Sequence, residues 1–133
     1  MENATSQFFY LTVFTLVYCI STAFSIALLG SKDLIQGNLL QMNTLINLAT
    51  SWRFIASMTL AVLSRLTFVL INNTLIKIPY LSNAATTVSV FITLISLVFV
   101  LMVNRYYLNE MLNLKQGIGA LVVMVGIFVM LQK

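Results

Sequence analysis

A chain of 133 residues that is 60% hydrophobic and only 8% charged has too little polar surface to coat a water-soluble globule, so lipid must solvate most of it. The formal charge of +4 comes from seven Lys and Arg spread singly, with no basic run and no aromatic-basic interleaving, which argues against nucleic acid as a partner. With no histidine, three carboxylates and one cysteine, Cys19 in an apolar segment, the usual metal sites, catalytic triads and disulfide frameworks lack their parts; neither an enzyme nor a cofactor is expected.

A spanning helix needs about 20 mostly apolar residues, and the chain has room for four with short connections. The expected fold class is therefore an all-α membrane protein: one domain, residues 1–133, folded as a four-transmembrane-helix bundle. Helix one is predicted over 8–29. Its flank, Met1 to Gln7, carries Glu2 and no Lys or Arg, unlike the basic flank of a cleaved leader, so it reads as a permanent span. Gly30, Ser31, Lys32 and Asp33 supply the first polar break. From Leu34 to Thr50, Ile35, Leu39, Met42 and Ile46 recur at helical spacing while Gln36, Asn43 and Asn47 are set off from them. That stretch is too polar to span, and fits either an amphipathic helix at the membrane interface or a polar loop.

Helix two, 52–76, opens on Trp52 and Arg53, which suit the headgroup level, and ends at Lys77-Ile78-Pro79-Tyr80, where proline breaks the helix. Helix three, 83–103, runs into Asn104, Arg105, Tyr106 and Tyr107, a second interfacial belt. Helix four, 116–131, is short for a span and contains glycine. Four spans put both termini on one side. The connections after helices one and three hold Lys32, Arg53, Arg105 and Lys115 against Lys77 and Lys133 opposite, which favours cytoplasmic connections and external termini.

Arg65 is the most informative charge, because it falls midway through helix two among Ala61, Val62, Leu63, Leu66, Phe68 and Val69. A central arginine costs at least about 2.5–3.5 kcal/mol, so it should face a bundle interior or a watery cavity. Its guanidinium suits a phosphate, and the expectation is an anion site in a cavity bounded by helices one, two and three; the alternative is an arginine that snorkels. Ser64 and Thr67 lie near it, and Asn72, Asn73 and Thr74 follow in the last turns, where polar side chains commonly serve helix contacts. Gly119 and Gly126 stand seven residues apart on one face of helix four and would let a neighbouring helix approach closely, predicting a dimer contact. Ala84, Ala85, Thr86, Thr87 and Ser89 give helix three a small, weakly polar entry that could line a cavity.

From Leu63 to Leu131 the sequence resembles the drug/metabolite transporter superfamily, in particular its small four-helix, EamA-like members. The resemblance rests on Lys77-Ile78-Pro79, the small-residue entry after it, Leu108-Asn109-Glu110-Met111-Leu112, Gln116-Gly117-Ile118-Gly119 and Val125-Gly126-Ile127. The small multidrug resistance proteins of that superfamily use a glutamate in helix one, and no acidic residue occurs between Phe8 and Leu29; where they carry tyrosine and tryptophan, this chain holds Ala84 and Thr87. The pattern is closer to the aminoarabinose-undecaprenyl-phosphate flippase subunits, whose longer connection after helix one is similar to Leu34 to Ser51, although Ser25 and Leu29 stand near their usual glutamine and lysine. The resemblance implies a multi-pass protein of a bacterial-type inner membrane that moves an amphipathic or lipid-linked substrate such as a polyprenyl-phosphate sugar. Arg65, Asn72, Ala84 and Thr87 would bind that substrate, with homodimerisation or pairing with a similar small membrane protein through Gly119 and Gly126. The remaining readings are a small multidrug-type exporter of hydrophobic compounds and a non-transporting scaffold or regulatory subunit.

Overall fold

In lipid an exposed peptide group has no water to bond to, so an apolar chain of this kind closes its backbone hydrogen bonds within helices. The computed structural model describes residues 4–35, 37, 40–111 and 113–131, and among these all regular structure is helical. Helix α1 spans Ala4–Leu29, α2 Lys32–Ile35, α3 Met42–Thr50, α4 Trp52–Lys77, α5 Ala85–Tyr107 and α6 Leu114–Leu131. Three of them, α1, α4 and α5, are long and apolar enough to cross a membrane, as expected of a multi-pass membrane protein. At 1.5 Å per residue, the 26 residues of α4 extend ~39 Å, against a hydrocarbon core of about 30 Å. The 18 residues of α6 reach only ~27 Å.

The helix boundaries follow local chemistry. The Ser51 side chain accepts a hydrogen bond from the Phe54 amide at 3.3 Å, capping the start of α4. At its other end Ile78 is extended (φ −90°, ψ 112°), the geometry that the ring of Pro79 imposes on the residue before it. A 3₁₀ turn at Ser82–Ala84 then leads into α5, so the third helix begins two residues later than the sequence predicts. It also runs four residues further, through Arg105 to Tyr107, because no glycine or proline interrupts it there. Helix α1 starts at Ala4 rather than at residue 8, since Thr5, Ser6 and Gln7 carry no helix breaker either. The polar stretch between the first two spans is broken into α2 and α3, with a turn at Gly37 whose φ of +117° favours glycine. Glu2, Gln36, Leu39, Leu112 and Lys133 lie outside the described residues.

Helix α1 is the centre of the assembly, packed along both α4 and α5, which touch each other far less. The reason lies in side-chain size. Cys19, Ala23 and Ala27 recur every fourth residue of α1 and are fully buried, and small residues at that spacing let helix backbones approach closely where lipid offers no hydrophobic drive. The buried faces opposite mix small hydroxyl residues with larger apolar ones: Ser57, Ser64, Thr67, Ile71 and Leu75 on α4, and Ala85, Ser89, Ile92, Ser96 and Val100 on α5. Hydroxyls bridge the α1–α4 seam. Ser25 Oγ donates to the Ser57 carbonyl at 3.0 Å, and Ser57 Oγ returns the bond to the Ser25 carbonyl at 2.8 Å. The Thr22 and Ser64 hydroxyls bond each other at 2.8 Å. Where the seam widens, Tyr18 and Phe68 meet with ring centroids 5.7 Å apart, joining a core with Cys19, Ile71, Leu75, Ala85 and Ile92.

Helix α6 stands apart from this core. It touches little besides α5, where Phe91 and Phe128 meet edge to face at 5.6 Å. Gly119 and Gly126 are exposed, and a Cβ added to either would meet nothing within 4 Å.

Candidate functional site

Arg65 is the fourteenth of the 26 residues of α4, which puts its Cα ~20 Å from either helix end. Half of a typical hydrocarbon core is only ~15 Å, yet an arginine side chain is much shorter than that, so snorkelling alone does not carry a mid-helix guanidinium to the headgroups. The side chain lies at the rim of a groove of about 150 Å³, whose walls are Tyr18, Thr22, Ser25 and Ile26 of α1 and Ala61 and Ser64 of α4. It is exposed, and it has no hydrogen-bond or ion-pair partner among the described residues.

This differs from the expectation of an arginine enclosed by three helices. The groove is lined by the first two spans only, and the cause is the hydroxyl seam beneath it. Serine and threonine side chains bring α1 and α4 so close that no interior space remains for a guanidinium, which is left at the edge. Its direction is still informative. Asn72 lies two helical turns beyond Arg65, on nearly the same face of α4, and accepts a 2.6 Å hydrogen bond from Ser89 of α5 through its side-chain oxygen. The Arg65 position therefore falls on the side of α4 that meets α5 two turns further along. Continuing the antiparallel register by two turns brings the buried Ser96 of α5 to its level.

The other sequence-derived residues are not gathered at this groove. Asn72 serves the α4–α5 contact, and its amide nitrogen donates to the Phe68 carbonyl at 3.1 Å, so both ends of the side chain are engaged. Ala84 is exposed in the 3₁₀ turn and Thr87 is half-buried on α5; neither lines the groove. In the small-residue entry of α5, Ala85 and Ser89 are buried while Ala84 and Thr86 are exposed. Thr22 and Ser25 line the groove beside Arg65, and Ser57 bonds Ser25 across the seam; the sequence alone assigns Thr22 and Ser57 no role and marks Ser25 only by its place in the family pattern. The signal was present in the spacing of Ser21 and Ser25, and of Ser57 and Ser64, one and two turns apart on single faces.

Chemically, the groove offers one permanent cation and a set of hydroxyls, and none of its lining residues is a carboxylate or a metal ligand. Among the described residues no group of three or more His, Cys, Asp or Glu could hold a metal ion. What the arrangement can do is bind an anion and shield it from lipid on one side.

No protein-family model, curated protein or solved structure matches this chain.

Proposed function

We propose that this protein is a membrane transporter or flippase that moves an amphipathic, phosphate-bearing substrate such as a polyprenyl-phosphate-linked sugar. The observation that carries the reading is Arg65: a permanent cation at mid-helix, without an internal counterion among the described residues, at the mouth of a hydroxyl-lined groove. Leaving such a charge unpaired in lipid is costly, and a phosphate that accepts both arms of the guanidinium offsets that cost while the acyl part stays in the bilayer. The 150 Å³ groove is too small to enclose a lipid, so the site is a lateral one, open to the membrane. Helix α6 acts as the fourth span in this reading. The open faces of Gly119 and Gly126 accept the same helix of a second copy, or of a similar small membrane protein, and complete a wall that one chain does not supply. The protein then sits in a bacterial-type inner membrane.

A second reading, a non-transporting scaffold or regulatory subunit, is favoured by the exposure of Arg65, which a carboxylate on a partner helix could reach directly. One experiment separates the two. Liposomes carrying the protein are offered a fluorescent polyprenyl-phosphate sugar or a cationic dye. Movement of the first and not the second, lost in Arg65→Leu and partly kept in Arg65→Lys, supports the flippase. No movement of either substrate by the wild-type protein counts for the scaffold, and movement of the dye alone for a small multidrug-type exporter.

A further inference from the structure

A second cleft lies on the α1–α4 pair, on the opposite flank of the seam from Arg65 and near the other end of the helices. Its walls are Gln7, Tyr10 and Phe14 of α1 and Leu70, Asn73, Thr74 and Lys77 of α4, around a volume of about 250 Å³. The composition is graded along the helix axes. Leu70 and Phe14 form the deep end, and Lys77, in the last turn of α4, lies seven residues or ~10 Å nearer the helix end than Leu70. Tyr10 stacks on Phe14 with centroids 6.3 Å apart, giving one flat apolar wall that ends in a phenol.

The donors at the shallow end are uncommitted. The Asn73 amide, the Gln7 amide, the Tyr10 hydroxyl and the Lys77 ammonium have no side-chain hydrogen bond or ion pair among the described residues, whereas the Thr74 hydroxyl is spent on the Leu70 carbonyl at 2.9 Å. None of the seven lining residues is a carboxylate, so the set selects an anion over a cation. The apolar depth selects an anion that carries an acyl chain over a free one.

We propose that this cleft is a binding site for the headgroup of an anionic phospholipid. The phosphodiester lies between Lys77, Asn73 and Gln7, and the first acyl carbons lie on Phe14 and Leu70. The lipid bridges α1 and α4 where their packing ends. This site is independent of Arg65, and it stands or falls whatever Arg65 does.

The test uses the full chain, delipidated in detergent and offered dioleoyl-phosphatidylglycerol, dioleoyl-phosphatidylcholine or inorganic phosphate, with bound lipid counted by native mass spectrometry and thermal unfolding followed in parallel. Phosphatidylglycerol is expected to bind about tenfold more tightly than phosphatidylcholine, and to raise the unfolding temperature where phosphate alone does not. The double variant Asn73→Leu with Lys77→Gln should lose the preference, whereas Lys77→Arg keeps it. Equal binding of the two lipids by the wild-type protein overturns the site, and that comparison needs no variant to fold. Stabilisation by phosphate alone that is lost in the double variant overturns the lipid as its occupant, and a preference unchanged in the double variant overturns its location.

Discussion

Replacing Ser57 tests the close seam on which the placement of Arg65 depends. Ser57 is 0% exposed, donates to the Ser25 carbonyl at 2.8 Å and receives the Ser25 hydroxyl on its own carbonyl at 3.0 Å. Ser57→Ala removes one of these two carbonyl bonds together with the 3.3 Å contact between the hydroxyls, and an interhelical bond is worth about 0.6 kcal/mol on average in membrane helices and at most about 1.7. The Ser25→Ala, Ser57→Ala double variant removes both and should cost about 1–2 kcal/mol. Ser57→Leu differs in kind, because it loses the bond and also forces extra carbon atoms into a contact with no free space. Overpacking adds about 1–3 kcal/mol, so the total should reach about 2–4 kcal/mol. Unfolding in mixed detergent, followed by loss of helical circular dichroism, measures each value; Val62→Leu, on the exposed face of α4, serves as the control and should change stability by less than about 0.5 kcal/mol. If Ser57→Leu matches the control, α1 and α4 are not held at hydroxyl distance, and the hydroxyl seam is not what keeps Arg65 on the rim.

Further outcomes follow from other contacts. Asn72→Leu should destabilise the α4–α5 contact by about 1 kcal/mol, seen in the same unfolding experiment, because it removes the 2.6 Å bond from Ser89. Gly119→Leu and Gly126→Leu should leave the unfolding of a single chain unchanged, since nothing lies within 4 Å of either added Cβ, while lowering dimer yield in crosslinking through cysteines placed along α6. Gly37→Ala should be strained by its φ of +117° and cost about 1 kcal/mol, whereas Gly30→Ala meets Leu108 Cδ1 and the Ile26 carbonyl at 3.3 Å and should be tolerated with a small shift.

The long helices were legible in the sequence because hydropathy runs of this length have one physical solution in lipid, and the break at Lys77-Ile78-Pro79 was legible because proline dictates its own neighbourhood. The amphipathic stretch was legible as helical in part: Met42 and Ile46 fall within α3 as their spacing predicts. What stayed hidden was partner choice. Arg65 stands out as a charge in an apolar run, but whether it faces an interior depends on how close α1 comes, and that is set by Thr22, Ser25, Ser57 and Ser64 across two helices. Polar side chains such as Asn72 pose the same difficulty. Its spacing fits a substrate contact and a helix contact equally well, and only the position of Ser89 decides for the helix. Gly119 and Gly126 are exposed on α6, and a single chain places nothing within 4 Å of a Cβ added to either.

The position of Arg65 on α4 also has an electrical meaning. A fixed positive charge that far from both ends of a spanning helix sits near the middle of the membrane field, and a unit charge there feels about half of the ~2.3 kcal/mol that 100 mV applies across the whole bilayer. For the phosphate of the proposed substrate, a place beside this charge would lie at half the potential drop from either face, so voltage would affect arrival and departure equally. A cation approaching along α4 meets the same repulsion from either side, strengthened by the low dielectric around it. Under the proposed flippase function, the consequence is selection by charge sign and not by direction: the fixed charge would favour anions from either face and leave the direction of travel to concentration and voltage.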